Sequence, residues 1–155
     1  MAGGDRGEVS DGNAREIGRR LIEAEALCAT RGERLNRPGR RALKALLSTN
    51  RPLKAYDLTY ALGDGGRSAA PPTVYRALRL LMGVGLVHRI EILNAFVACR
   101  FAGEPHRAGF IVCETCGAAE EVQLDVLPPQ IEAGPDDRLV VEVSRRCAAC
   151  QAPGT

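Results

Sequence analysis

An α+β fold in two parts is what this 155-residue sequence predicts, and three observations predict it. Apolar residues recur at helical spacing through the first half, and the period changes to that of short strands after Gly85. Two C-x-x-C pairs, Cys113/Cys116 and Cys147/Cys150, stand in the second half with thirty residues between them. Charge divides the same way. Residues 1–100 carry 17 basic and 10 acidic side chains and residues 101–155 carry 4 and 9, so the net +2 joins a +7 half to a −5 half.

Each element follows from its local pattern. Residues 1–15 are rich in Gly and charge without periodicity and predict a flexible tail. Ile17, Leu21, Ala24 and Leu27/Cys28 then share one helical face. The next helix opens at Asn36 and Pro38, residue types that start helices, with Leu43, Leu46 and Leu47 as its buried stripe. Pro52 precedes a short helix with Ala55, Leu58, Ala61 and Leu62 inward, and GDGGRSAAPP is a loop. Pro71-Pro72-Thr73 launches a helix with Val74, Ala77, Leu78 and Leu81 on its core face. Proline is tolerated there because a first-turn N–H has no helical partner, and Gly83 and Gly85 end the helix. LVHRIEILNAFVACRF, β-branched and aromatic on either side of Leu93-Asn94, predicts a hairpin. Helix, helix, loop, helix, hairpin is the order of a winged helix-turn-helix, placed at residues 16–101. A hinge at 102–108 leads to a small α/β domain at 109–155, where GFIVC, AAEEVQL and LVVEVS read as strands. Pro128, Pro129, Gly134 and Pro135 keep any helix between the last two short.

Composition narrows the function. Aromatics are 4% of residues with no Trp, which argues against a stacking platform for single-stranded nucleic acid. No window approaches about 18 consecutive apolar residues, so no membrane span is expected. The start, MAGGDRGEVSDGNAREIG, has Gly, Asp and Glu where a signal peptide needs an apolar core; a cytoplasmic chain with reduced thiols is expected. Two C-x-x-C pairs in such a chain point to a closed zinc site of Cys113, Cys116, Cys147 and Cys150. Tetrahedral zinc takes four soft donors, and each C-x-x-C turn delivers two. A redox pair, the competing reading, needs only one such motif.

The helix launched at Thr73 presents Thr73, Tyr75, Arg76 and Arg79 away from its apolar stripe. Arginine suits bidentate reading of guanine in the major groove, and hydroxyls suit phosphate oxygens. A solvated face of a core helix would look the same by itself. Residues 31–100, however, hold 13 basic and 4 acidic side chains, and that +9 favours double-stranded DNA.

AYDLTYAL, PPTVYRALRLLMGVGLVHRIEILNAFVAC, FIVCETCGAAEE and CAAC together resemble the ferric uptake regulator family, and its zinc uptake regulator branch fits best. The likeness runs from about Leu21 to Cys150. It implies a homodimeric winged-helix repressor of zinc uptake genes that binds a palindromic operator when metal-loaded, with the second domain serving dimerisation. It implies two zinc ions per chain: a structural one on the four thiolates, and a regulatory one on His88, Cys99, His106 and Glu121. It also implies base contacts from Tyr56 and Arg76. A thiolate, two imidazoles and a carboxylate form a four-coordinate set suited to zinc. EPHRAG offers a single His where the iron branch usually carries a His-rich stretch. Glu120 sits beside Glu121, and strand alternation decides which points inward. Cys28 matches no ligand and is assigned to the core. No catalytic residue and no small-molecule substrate are expected. The competing functions are an iron- or peroxide-responsive regulator of the same family, a zinc-ribbon thiol oxidoreductase, and a zinc-ribbon interaction module.

Overall fold

A computed structural model of the chain describes residues 11–49, 51–131, 134 and 139–151, with side chains from Asn13 onward. The chain runs through α1 (Asp11–Thr30), α2 (Arg37–Leu47), α3 (Ala55–Leu62) and α4 (Pro71–Val84) into a hairpin of β1 (Val87–Ile90) and β2 (Ala95–Ala98). It continues with β3 (Ala108–Cys113), β4 (Ala119–Gln123), β5 (Val141–Arg145) and one turn of helix, α5 (Ala148–Gln151). Helices and wing come first and a small sheet second, the α+β order that the sequence predicts.

The first core forms where the helical stripes meet. Ile17, Leu21, Ala24 and Cys28 of α1 are buried with Ala42, Leu43 and Leu46 of α2, Leu58 and Leu62 of α3, and Val74, Ala77, Leu78 and Leu81 of α4. Each such leucine contributes about 1.5–3 kcal/mol on burial. Local signals set the helix ends. Asn36 Oδ1 accepts from the Gly39 N–H at 2.9 Å, with proline in the first turn of α2. Two prolines open α4, and Gly85, left-handed at φ 84°, closes it; Gly83 lies inside the helix. The wing gains a third strand-like contact, since Leu53 and Phe96 exchange backbone hydrogen bonds of 2.9 and 2.7 Å.

Two local expectations are corrected. Of the stretch 1–15 expected as a tail, residues 1–10 lie outside the described residues, but 11–15 are the first turns of α1. Helix propagates backwards from the buried face at Ile17 through Ala14, Arg15 and Glu16, which need no apolar period to continue it. Ala61 is exposed, not inward, and Thr59 is buried. The core face of α3 follows positions 55, 58, 59 and 62, and Ala61 falls outside that i, i+3, i+4, i+7 set. The Thr59 hydroxyl is satisfied by the Tyr56 carbonyl at 2.6 Å.

The second sheet has the order β4-β3-β5, antiparallel between β3 and β4 and parallel between β3 and β5. A parallel pair needs a crossover, carried here by residues 124–140. Among the described residues of that segment there is a turn closed by Ile131 N–H to Pro128 O, and no helix; Pro135 lies outside the described residues. Phe110 at the centre of β3 faces Glu121 on one side and Glu142 on the other. The buried cluster under this sheet is small: Ala108, Phe110 and Val112 with Ile90 of the wing, flanked by Leu93, Val97 and Ala119. The sheet therefore completes its core on the wing.

Candidate metal centre

β1 begins the hairpin with Val87 buried and His88 half-buried on the opposite face, as strand alternation requires. The hairpin brings Cys99, just past β2, back beside His88, and Cys99 is fully buried. The segment before β3 carries His106. On β4, Glu121 is 5% exposed while Glu120 faces solvent. The register pairs Phe110 with Glu121, which turns Glu121 towards the wing and Glu120 away.

Ligand-type atoms of His88, Cys99, His106 and Glu121 lie within 4.8 Å of one another. Glu121 Oε1 stands 3.1 Å from His88 Nε2, 3.2 Å from His106 Nε2 and 3.5 Å from Cys99 Sγ, and Cys99 Sγ is 3.4 Å from His106 Nε2. Zinc bonds of about 2.0–2.3 Å in a tetrahedron give edges of about 3.3–3.8 Å, and these spacings of 3.1–3.5 Å come within about 0.2 Å of that range, close enough for one ion. Among the described residues, buried His88 Nε2 has no aligned hydrogen-bond partner, which leaves a ligand-type nitrogen orphaned inside the cluster. Neighbours orient the donors. His106 Nδ1 lies 2.8 Å from the Glu104 carbonyl, which calls for a proton on Nδ1 and leaves Nε2 as the electron-pair donor. The Arg100 N–H donates to Glu121 Oε2 at 2.7 Å, leaving Oε1 for the cluster. Arg20 of α1 donates to the Cys99 carbonyl at 2.5 Å. Burial works against charge on Glu121, but His88, the Arg100 N–H and Cys99 outweigh it and hold the carboxyl below its usual range. Burial, reinforced by Glu121, pushes the Cys99 thiol up to about 12.

The second cluster joins Cys113 at the end of β3, Cys116 in the following turn, and Cys147 and Cys150 around α5. Cys116 Sγ and Cys147 Sγ are 3.8 Å apart, again an edge of a zinc tetrahedron. The N–H groups of Cys116 and Cys147 point at Cys113 Sγ from 3.5 and 3.4 Å and bring its thiol down to about 5. Cys147 and Cys116 push the Cys150 thiol up to about 12. All six cysteines are free thiols, and Cys28 sits in the first core, away from both clusters.

Residues 31–138 match the ferric uptake regulator family. The chain belongs to the ferric uptake regulator family. It is 37% identical over 102 residues to the zinc uptake regulation protein of Escherichia coli (strain K12), a match covering 65% of this chain and 60% of that relative's length. A zinc uptake regulator complexed with zinc and DNA superposes with TM-score 0.74 at 30% identity, over 86% of this chain and 94% of that one. The holo form of a relative designated XcZur superposes at 0.74 and 34% identity, covering 85% and 96% of the two chains. Its apo form reaches only 0.51 at 32% identity, over 88% and 98%. This ferric uptake regulator family member therefore superposes better on the holo form of that relative than on its apo form.

The residues expected to face DNA are on the surface of the helical part. Tyr56 is 69% exposed on α3, Tyr75, Arg76 and Arg79 are exposed on α4, and Thr73 is half-buried in the first turn. Beside Tyr56, the structure adds a neighbour that the sequence reading did not single out: Tyr60, 63% exposed one turn later, whose hydroxyl meets that of Tyr56 at 3.0 Å with the rings edge to face. The AYDLTY spacing, with tyrosines at i and i+4, was the available signal. Sequence reasoning also missed Arg20, Arg100 and Glu104, whose backbone-directed contacts leave no mark in a sequence.

Proposed function

We propose that this chain is a zinc-responsive, homodimeric, cytoplasmic repressor of zinc uptake genes that binds a palindromic operator. The observation that carries the reading is the convergence of His88, Cys99, His106 and Glu121 at spacings of 3.1–3.5 Å from both parts of the fold. We divide the chain into a winged-helix DNA-binding domain at 16–101, a hinge at 102–108 and a dimerisation domain at 109–155. His88 and Cys99 then belong to the wing, His106 to the hinge and Glu121 to the sheet. Zinc bound there supplies four bonds that tie the two domains into one arrangement. Moving a population from 1:99 to 99:1 needs a preference of about 5.5 kcal/mol, and structural zinc sites reach about 10–16 kcal/mol. Cys113, Cys116, Cys147 and Cys150 would hold a second, structural zinc that ties the turn between β3 and β4 to the end of β5, all at one end of the small sheet. In a dimer, the angle between the domains sets the spacing of the two α4 helices, which must match half-sites a whole number of DNA turns apart. Tyr56, Thr73, Tyr75, Arg76 and Arg79 supply the contacts, with Arg76 reading a base. Support for a second copy comes from the sheet edge, where Val143 is 50% exposed on β5.

The similarity to zinc uptake regulators favours zinc over iron, and so does a thiolate in the interdomain set. Metal analysis of the wild type and Cys99→Ser, paired with a zinc-titrated gel shift carrying iron and manganese controls, tests the reading. Two zinc per chain falling to one, with loss of the shift, is the expected result. Iron in the wild type, or an unchanged shift in the variant, overturns it. Arg76→Ala is expected to keep both metals and lose the shift, which separates a DNA-reading protein from an interaction module.

A further inference from the structure

One cross-strand row of the small sheet reads Glu121, Phe110, Glu142, because Phe110 is the register partner of both acids. Residues in such a row share a face, and this face meets the wing. Phe110 is buried there, its ring 5.4 Å from that of His88. Glu121 engages the base of the hairpin through His88, Cys99 and the Arg100 N–H. Glu142 engages the opposite end. Its Oε1 accepts the Glu91 N–H at 2.6 Å and its Oε2 accepts the Ile92 N–H at 2.8 Å, both in the turn between β1 and β2. The Glu91 side chain itself turns back to Arg89, 3.5 Å away.

We propose that Glu142 is a second clamp on the wing, a positioning residue that fixes the orientation of the DNA-binding domain together with the metal cluster; the inference rests on the zinc-dependent DNA-binding reading above. The metal cluster holds the base of the hairpin, and Ile90, Leu93 and Val97 pack against the sheet through apolar contact, which is non-directional. A directional attachment at the tip, on the same rigid row, restricts the rocking that such packing leaves. Both Glu142 bonds are charge-assisted, and both carboxylate oxygens are used, a geometry that a neutral or shorter side chain does not reproduce. The contact joins residues 50 and 51 positions apart and involves no metal-ligand atom. His88, Cys99, His106 and Glu121, which would hold the ion at the base, and Glu142 at the tip therefore sit on one lever, and the angle at which the domains rest depends on both.

The test uses the full chain loaded with zinc, in wild-type, Glu142→Ala and Glu142→Gln forms, and a palindromic duplex selected by the wild type from a randomised pool. Zinc content is expected to stay at two per chain in all three. Amide exchange at Glu91 and Ile92 is expected to quicken by about tenfold or more in Glu142→Ala. The Phe96 amide, bonded to the Leu53 carbonyl at 2.7 Å, is expected to be unmoved. Duplex affinity is expected to fall by about tenfold in Glu142→Ala, with Glu142→Gln between the two because it keeps one acceptor oxygen. Unchanged exchange at the two amides overturns the clamp. Faster exchange with unchanged duplex affinity overturns its positioning role. A wild type that selects no duplex with zinc overturns the regulator reading instead, while the exchange measurement still reports on the clamp.

Discussion

Cys99 keeps its proton at neutral pH when no metal is bound, because burial first and the Glu121 carboxylate second push its thiol up to about 12. Coordination needs the thiolate, so zinc entering this site must expel that proton. Glu121, held below the usual carboxylate range, is already ionised and releases none. The sign follows: proton loss accompanies binding, so raising the pH favours the bound form. Apparent zinc affinity of the interdomain site is expected to climb about tenfold per pH unit between about pH 7 and pH 8.5. Competition against a chelator of known pH dependence measures this, and a flat profile would exclude thiolate ligation by Cys99. The same residues show what one sequence can carry. The family resemblance names His88, Cys99, His106 and Glu121, and the structure brings their ligand atoms together. The physical reason that Glu121 and not Glu120 turns inward is the pairing of Phe110 with Glu121, a register that no local pattern encodes.

At the scale of elements, the connection from α3 to α4 is held by close approach. A Cβ on Gly63 would lie 1.9 Å from the Arg67 carbonyl oxygen and 3.1 Å from Ser68 Cα. The backbone there cannot retreat freely, since Arg41 of α2 donates to the Gly63 carbonyl at 2.9 Å and to Asp64 Oδ1 at 2.8 Å. Gly85 is the contrasting case: it sits at φ 84° with open space around its missing Cβ. Gly63→Ala is therefore expected to cost about 2–3 kcal/mol through overpacking, and Gly85→Ala about 1 kcal/mol through its left-handed backbone. Denaturant unfolding of the two variants checks the order, and a larger loss at Gly85 would reverse the argument. The helices, the hairpin and strands β3 to β5 were legible because periods of 3.6 and 2 report which face is buried. The parallel pairing of β5 with β3 was not, because the partner of a strand is fixed by a crossover and by side chains far away in sequence. The Glu142 contact with the wing turn was hidden for the same reason.

For the whole molecule, the two halves differ in how they can be stable. The first core draws buried residues from α1 through α4, the wing and the turn leading into it, enough for a cooperative unit. Among the described residues, the sheet half contributes Ala108, Phe110 and Val112 to its buried cluster and borrows Ile90 from the wing. A core this small cannot offset the ordering of its own strands, so other ties must hold it. The four thiolates stand where such ties are needed, since Cys113 ends β3, Cys116 sits in the next turn, and Cys147 and Cys150 follow the edge strand β5. Zinc bound to them would replace the missing apolar burial, since metal-binding energy at a structural site counts as folding energy. Cys147→Ser is thus expected to separate the halves. The sheet signals should disperse and the dimer should dissociate, while α1 to α4 keep their helical signal and unfold at a temperature close to the wild type's first-core transition. Heteronuclear NMR with sedimentation reads both effects in one sample. Loss of the entire helical signal would show instead that the sheet and the winged helix fold as one unit. Cys99→Ser is expected to give the opposite pattern, an intact dimer that no longer binds DNA, because it removes the metal tie between the halves while the Glu142 contact, the apolar packing of the wing and each half's own support stay in place.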